Sequence, residues 1–172
     1  MRAHPVNASI EAMLLRLKKL EGQLRAAGIP AFLARLPCSL LGLHYCMTME
    51  AKIGRVQRIA ERIKAWLASV QALSARPEAQ TELIDVSLGM RNDIEVTKRT
   101  LRDLRAICLE VSELFSQAGY KSARLARLQA RFVQLLTESY ETACVLQVAL
   151  AAHDRRALAL LRQMQAAGHE PV

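Results

Sequence analysis

Aromatic side chains are scarce in this sequence: three Phe, three Tyr and one Trp make up 4% of 172 residues. Glycine (7) and proline (5) are also few, against roughly 12 and 9 expected from average usage. These shortages exclude collagen-like and low-complexity chains. They also exclude most all-β folds, whose strands use aromatic and β-branched residues and whose turns use Gly and Pro. Long hydrophobic runs are missing too. The longest, Thr142–Ala152, is interrupted by Gln147 and falls short of the ~18–20 residues of a membrane span. The opening residues Met1–Asn7 lack the continuous apolar core and small-residue cleavage site of a secretory signal. A cytoplasmic location is the expectation.

Catalytic signatures are absent as well. No G-x-S-x-G, phosphate-binding glycine loop, H-E-x-x-H or zinc-finger spacing occurs. Neither enzymatic activity nor a cofactor is expected. The four cysteines, Cys38, Cys46, Cys108 and Cys144, lie in apolar or helical stretches without the tight spacing of a secreted disulfide framework. They read as reduced, buried thiols. Cys38, His44 and Cys46, with Met47 and Met49 beside them, are soft ligand types for zinc or copper, but zinc sites use pairs two to four residues apart. No metal is assigned. Glu138 and Glu141 stand one turn apart, yet the histidines that bundle di-iron sites require are missing.

What is plentiful is helix-forming. Ala and Leu supply 27 residues each, and apolar residues recur at 3- and 4-residue intervals along most of the chain. A first helix is expected from about Asn7 or Ser9 to Gly28, where Gly28-Ile29-Pro30 is a strong stop. Residues 31–44 form a short, irregular segment that Pro37 breaks or kinks. A third helix runs from about Thr48 to Ala75 and buries Met49, Ile53, Val56, Ala60, Ile63, Leu67 and Val70.

The fourth helix is the clearest. Leu83, Ser87, Met90, Ile94, Thr97, Leu101, Leu104, Cys108, Val111 and Phe115 keep strict 4, 3 spacing, the 3.5-residue repeat of a coiled-coil seam. It starts near Pro77 or Glu78 and ends at Gly119. A fifth helix runs from about Lys121 to Ala152, and Asp154 caps a last one over 155–167. Connections this short impose antiparallel neighbours. The fold class is all-α: one domain over 1–172, an antiparallel bundle of four main helices plus short extra segments, packed like a coiled coil. Residues 1–8 and 168–172 are expected to fray.

The charge balance is lopsided. Lys and Arg total 24, Asp and Glu 16, for a net +8. Lys52, Arg55, Arg58 and Arg62 share one helix face; Lys98, Arg102 and Arg105 share another; Lys121, Arg124, Arg127 and Arg131 share a third. Such faces fit a sequence-independent grip on phosphates, with Arg55, Arg58, Arg62, Arg124, Arg127 and Arg131 as contacts. They fit equally a solvated surface that pairs with the acid-rich fourth helix. An anionic membrane surface is a further possible partner.

Long helices with an Arg-rich surface are similar, in composition alone, to bacterial accessory proteins of secretion, plasmid or phage systems. The leading expectation is a non-enzymatic interaction or adaptor protein that binds itself or a partner protein through helix seams, with Ile94, Leu101, Leu104 and Val111 as the contact residues.

Overall fold

The computed structural model describes residues 5–76 and 80–167; at 5, 6, 80–88, 157, 160, 161 and 164–167 it describes the backbone alone. Among these residues there are five helices and no strand: α1 Pro5–Ala26, α2 Ala31–Ala34, α3 Leu36–Ser74, α4 Gln80–Gln117 and α5 Ala123–Ala167. The fold is an all-α bundle in which α3 and α4 both pack on α5. The seam's first two positions, Leu83 and Ser87, have no described side chain, and residues 77–79, where the fourth helix was expected to start, lie outside the described residues.

Two boundaries differ from the sequence reading. Helix α3 begins at Leu36, not Thr48, and takes in the segment expected to be irregular. The reason is the position of Pro37: in a first turn its missing N–H forfeits no helical bond. The chain passes almost continuously from α2, for the Arg35 N–H donates to the Ala31 carbonyl at 3.2 Å and the Ser39 N–H to the Arg35 carbonyl at 3.1 Å. Likewise α5 does not stop near Ala152. It runs unbroken for 45 residues, and Asp154, expected as a cap, instead pairs with Arg91 of α4. Asn7 is buried, and its side-chain amide donates to the Glu110 carboxylate.

The stops at Gly28 and Gly119 follow the sequence closely. Both glycines have positive φ, +80° and +75°. Ile29 N–H reaches the Leu24 carbonyl and Gly28 N–H the Arg25 carbonyl; Tyr120 and Gly119 repeat the pattern to Phe115 and Ser116, all at 2.9–3.0 Å. These paired bonds close the last turn and need a left-handed residue that glycine supplies without strain.

Where the sequence suggested one bundle, the contacts gather into two compact units. Of the described residues, the first comprises those up to Gln57 with Arg102–Thr137; the second comprises those from Arg58 to Leu101 with those from Glu138 onward. Four helices build the first core: Leu14 from α1, Cys46 from α3, Val111 and Phe115 from α4, and Leu125 from α5. Phe115 lies 5.2 Å from the Tyr45 ring and 5.6 Å from the Tyr120 ring, a tilted stack that concentrates the scarce aromatics in one place. Gly42 is essential to it, because any Cβ there would overlap the Tyr120 ring.

Three helices build the second core. Ile63 and Val70 come from α3, Ile94 and Leu101 from α4, and Ala143, Leu146 and Leu150 from α5. A polar ring fixes the α4–α5 register there. Lys98 donates to Gln147 at 2.6 Å, Gln147 donates to Glu95 at 2.6 Å, and Lys98 reaches Glu95 at 3.4 Å. Lys98 also sits 5.9 Å from the centre of the Tyr140 ring.

The glycines of α3 give a test with opposite signs. Space around Gly54 is open, so Gly54→Ala should stabilise the chain by about 0.5–1 kcal/mol through helix propensity. Gly42→Ala should destabilise it by about 1–3 kcal/mol through overpacking against Tyr120. Thermal unfolding of the two variants checks both; a raised Tm for Gly42→Ala would contradict the packing described.

Candidate docking face and basic surfaces

The seam residues chosen from sequence turn out to be interior. Ile94, Leu101 and Val111 are 1–2% exposed, and Leu104 is half-buried. Val111 packs into the four-helix core, and Leu104 stands beside Tyr45, Met49, Cys108 and Phe132. A 3.5-residue seam serves an internal partner as well as an external one. Here the chain's own helices fill it, so Ile94, Leu101 and Val111 offer no open edge.

An open apolar face exists elsewhere, on the part of α3 that the sequence reading left irregular. Leu36, Leu40, Leu43 and Met47 follow one another at spacings of 4, 3 and 4, and all four are 45–61% exposed. Phe32 and Leu33 of α2 precede them, and Phe32 is the most exposed large apolar residue described, at 71%. The opposite face of the same helix is the core face, where Gly42, Cys46, Met49 and Ile53 are buried. Helix α3 is therefore apolar on both sides over three turns. From residue 36 to residue 49 it carries no Asp, Glu, Lys or Arg. A solvated helix face normally carries charge. The signal was present in the sequence as that charge-free interval, but the break assigned at Pro37 hid the helical spacing.

Charged pairs mark both ends of this face. At one end Arg35 contacts Glu21 at 3.2 Å, and Glu21 also holds Arg25 at 2.5 Å. At the other end Glu50 accepts a bond from Arg124 at 2.8 Å. A cleft of about 410 Å³ adjoins the first end, and Lys18, Arg25, Arg35 and Lys121 line it around the lone carboxylate of Glu21.

The arginine faces remain on the surface. Arg55, Arg58, Arg62, Arg127 and Arg131 are exposed, and none forms an ion pair among the described residues. Arg127 instead donates to the Ala123 carbonyl at 3.2 Å. Arg124 differs, being taken up by Glu50. Among the described residues none of these five arginines is recorded in a pair with an acid of α4. Between α4 and α5, Arg91 meets Asp154, beside the Lys98–Gln147–Glu95 ring.

Other reactive side chains do not converge. Cys38 is half-buried, His44 is exposed and Cys46 is in the core. No group of three or more His, Cys, Asp or Glu among the described residues could hold a metal ion. Burial pushes the Cys108 thiol up to about 11, only partly offset by the Lys52 charge. Burial raises the Cys38 and Cys46 thiols as well. Low-pKa, accessible thiolates are what nucleophilic or redox cysteines require. No helix of the described residues is long and apolar enough to cross a membrane.

Comparison with family models, with characterised proteins and with solved structures gives no match.

One buried group outside the docking face has a measurable consequence. His153 is 7% exposed, and neither ring nitrogen has a partner among the described residues. Burial, and then the Arg156 charge, hold its pKa below the ordinary imidazole value. The unfolded chain takes up a proton as pH falls through about 6.5, while the folded chain resists it. Stability should therefore be lost as pH drops below about 6.5, by at most about 1.4 kcal/mol per pH unit from this group. His153→Leu should flatten that loss. Urea unfolding at pH 7.0 and 5.5 checks it, and an unchanged acid slope in the variant would rule out His153 as the source.

Proposed function

We propose that the protein is a non-enzymatic helical interaction protein, and that its docking surface is the apolar face of α2 and α3. The observation that carries this reading is the run Leu36, Leu40, Leu43 and Met47, exposed at seam spacing in a charge-free stretch of helix whose other side already forms the core. Contiguous exposed apolar surface at this scale marks binding sites in soluble proteins. The spacing is that of a helix awaiting a second helix.

The face predicts its own test. Leu40→Glu with Leu43→Glu changes only exposed positions, so Tm should move little, by about 0.5 kcal/mol or less in stability. At dilutions low enough to leave the face uncovered, binding of a hydrophobic dye should fall sharply from wild type to variant. Unfolding of the double variant, or undiminished dye binding, would show that this face is not the open surface.

A second reading rests on a separate observation: Arg55, Arg58, Arg62, Arg127 and Arg131 are exposed and lack ion pairs among the described residues. They suit sequence-independent contact with nucleic-acid phosphates. Fluorescence anisotropy with duplex DNA at about 50 and about 200 mM salt measures this, and each lost phosphate contact should reduce the salt slope by roughly 0.9. Arg127→Glu with Arg131→Glu should lower both affinity and slope; unchanged affinity would dismiss it.

A further inference from the structure

The partner of the α2–α3 face follows from its ends. We infer that the face is covered by a second copy of this chain, with the two α3 stripes antiparallel about a two-fold axis; this rests on the docking reading above. The apolar positions are symmetric in sequence. A two-fold axis passing between residues 41 and 42 sets Leu40 of each copy against Leu43 of the other, and Leu36 against Met47. The charged ends then become complementary. Arg35, with Glu21 beside it, comes within about 3 Å along the axis of the level of the other copy's Glu50, which carries Arg124. Each end of the pair thus brings the Arg25–Glu21–Arg35 cluster of one copy to the Glu50–Arg124 pair of the other. A parallel pair would do the reverse, setting Arg35 against Arg35 and Glu50 against Glu50.

No charge interrupts the interval between those ends, since residues 36–49 contain none. Nothing along the seam therefore opposes an identical chain, which matters because like charges facing each other across a helix pair are destabilising. The area suits a weak, dilution-sensitive pair. Leu36, Leu40, Leu43 and Met47, the residues this register brings together, leave on the order of 400 Å² exposed per copy, so a symmetric pair covers roughly 800 Å², the range of transient contacts. An isologous pair also closes on itself, so it yields a dimer and not a filament.

Sedimentation velocity across a dilution series of the full chain tests the state, and disulfide trapping tests the geometry. Wild type should pass from dimer to monomer on dilution. Leu40→Glu with Leu43→Glu should raise the dissociation constant by about 100-fold or more while leaving Tm near its wild-type value. For trapping, Leu40→Cys and Leu43→Cys are placed in separate, differently tagged copies in a Cys38→Ser, Cys144→Ser background. Mixed and oxidised, they should form the heterodimeric disulfide in preference to either homodimer. Predominant Leu40→Cys homodimers and Leu43→Cys homodimers would overturn the antiparallel register. A wild-type monomer at every concentration, still binding dye at this face, would overturn self-pairing yet leave the docking face standing. The same monomer pelleting with phosphatidylserine vesicles would assign the face to a membrane instead. Undiminished dye binding by diluted Leu40→Glu with Leu43→Glu would take the docking reading down with it.

Discussion

Everything distinctive in this chain depends on how α3 uses its two apolar sides. Over Leu36–Met49 the helix has Gly42, Cys46 and Met49 on one side and Leu36, Leu40, Leu43 and Met47 on the other. The first side is committed: Cys46 meets Leu14, Val111, Phe115 and Leu125, and Gly42 accepts the ring of Tyr120. A helix cannot turn both faces toward one core. The second side is left in water, and each large side chain there forgoes roughly 1 kcal/mol or more of burial. A bundle of this size has other helices to spend on covering it. That it does not is the constraint from which the functional reading grows.

The tight packing of the first side explains why the second stays where it is. Phe115 touches Tyr45 and Tyr120 at 5.2 and 5.6 Å, and the glycine turn at Gly119 delivers Tyr120 to Gly42. Rotating α3 to bury Leu40 and Leu43 would break the Gly42–Tyr120 fit and withdraw Cys46 from the core. Ion pairs oppose the same rotation, for Glu50 is held by Arg124 of α5 and Arg35 by Glu21 of α1. Exposed pairs of this kind contribute little stability. Their effect here is positional: they fix the charges at the two ends of the face.

Much of the fold was legible because its determinants are local. Helix periodicity, the Gly28 and Gly119 stops and the all-α class are written in spacing and composition, and they hold in three dimensions. The misreadings share a cause. Pro37 reads as a break in the sequence, although a proline in a first turn interrupts nothing. Asp154 reads as a cap, although its partner, Arg91, stands 63 positions away in the chain. A seam such as Ile94, Leu101, Leu104 and Val111 states that a helix will be covered, never by what. Only packing reveals that Ile94, Leu101 and Val111 are spent within the chain. The open face was the harder feature, because exposure is a property of what fails to arrive.

The basic surface and the apolar face play separate parts. Exposed arginines such as Arg55, Arg58 and Arg131 keep a net charge of +8 facing solvent. A chain with one uncharged, leucine-rich face is otherwise prone to unspecific association, and strong net charge suppresses that by long-range repulsion. The same repulsion acts between identical copies, but it is screened over about 8 Å at physiological ionic strength. A short-range seam with complementary ends then remains effective. This combination selects for a mate that matches the face in detail: uncharged for three turns, with a cation at one end and a carboxylate at the other. A generic hydrophobic surface meets the first condition alone. A second α3, reversed, meets all of them.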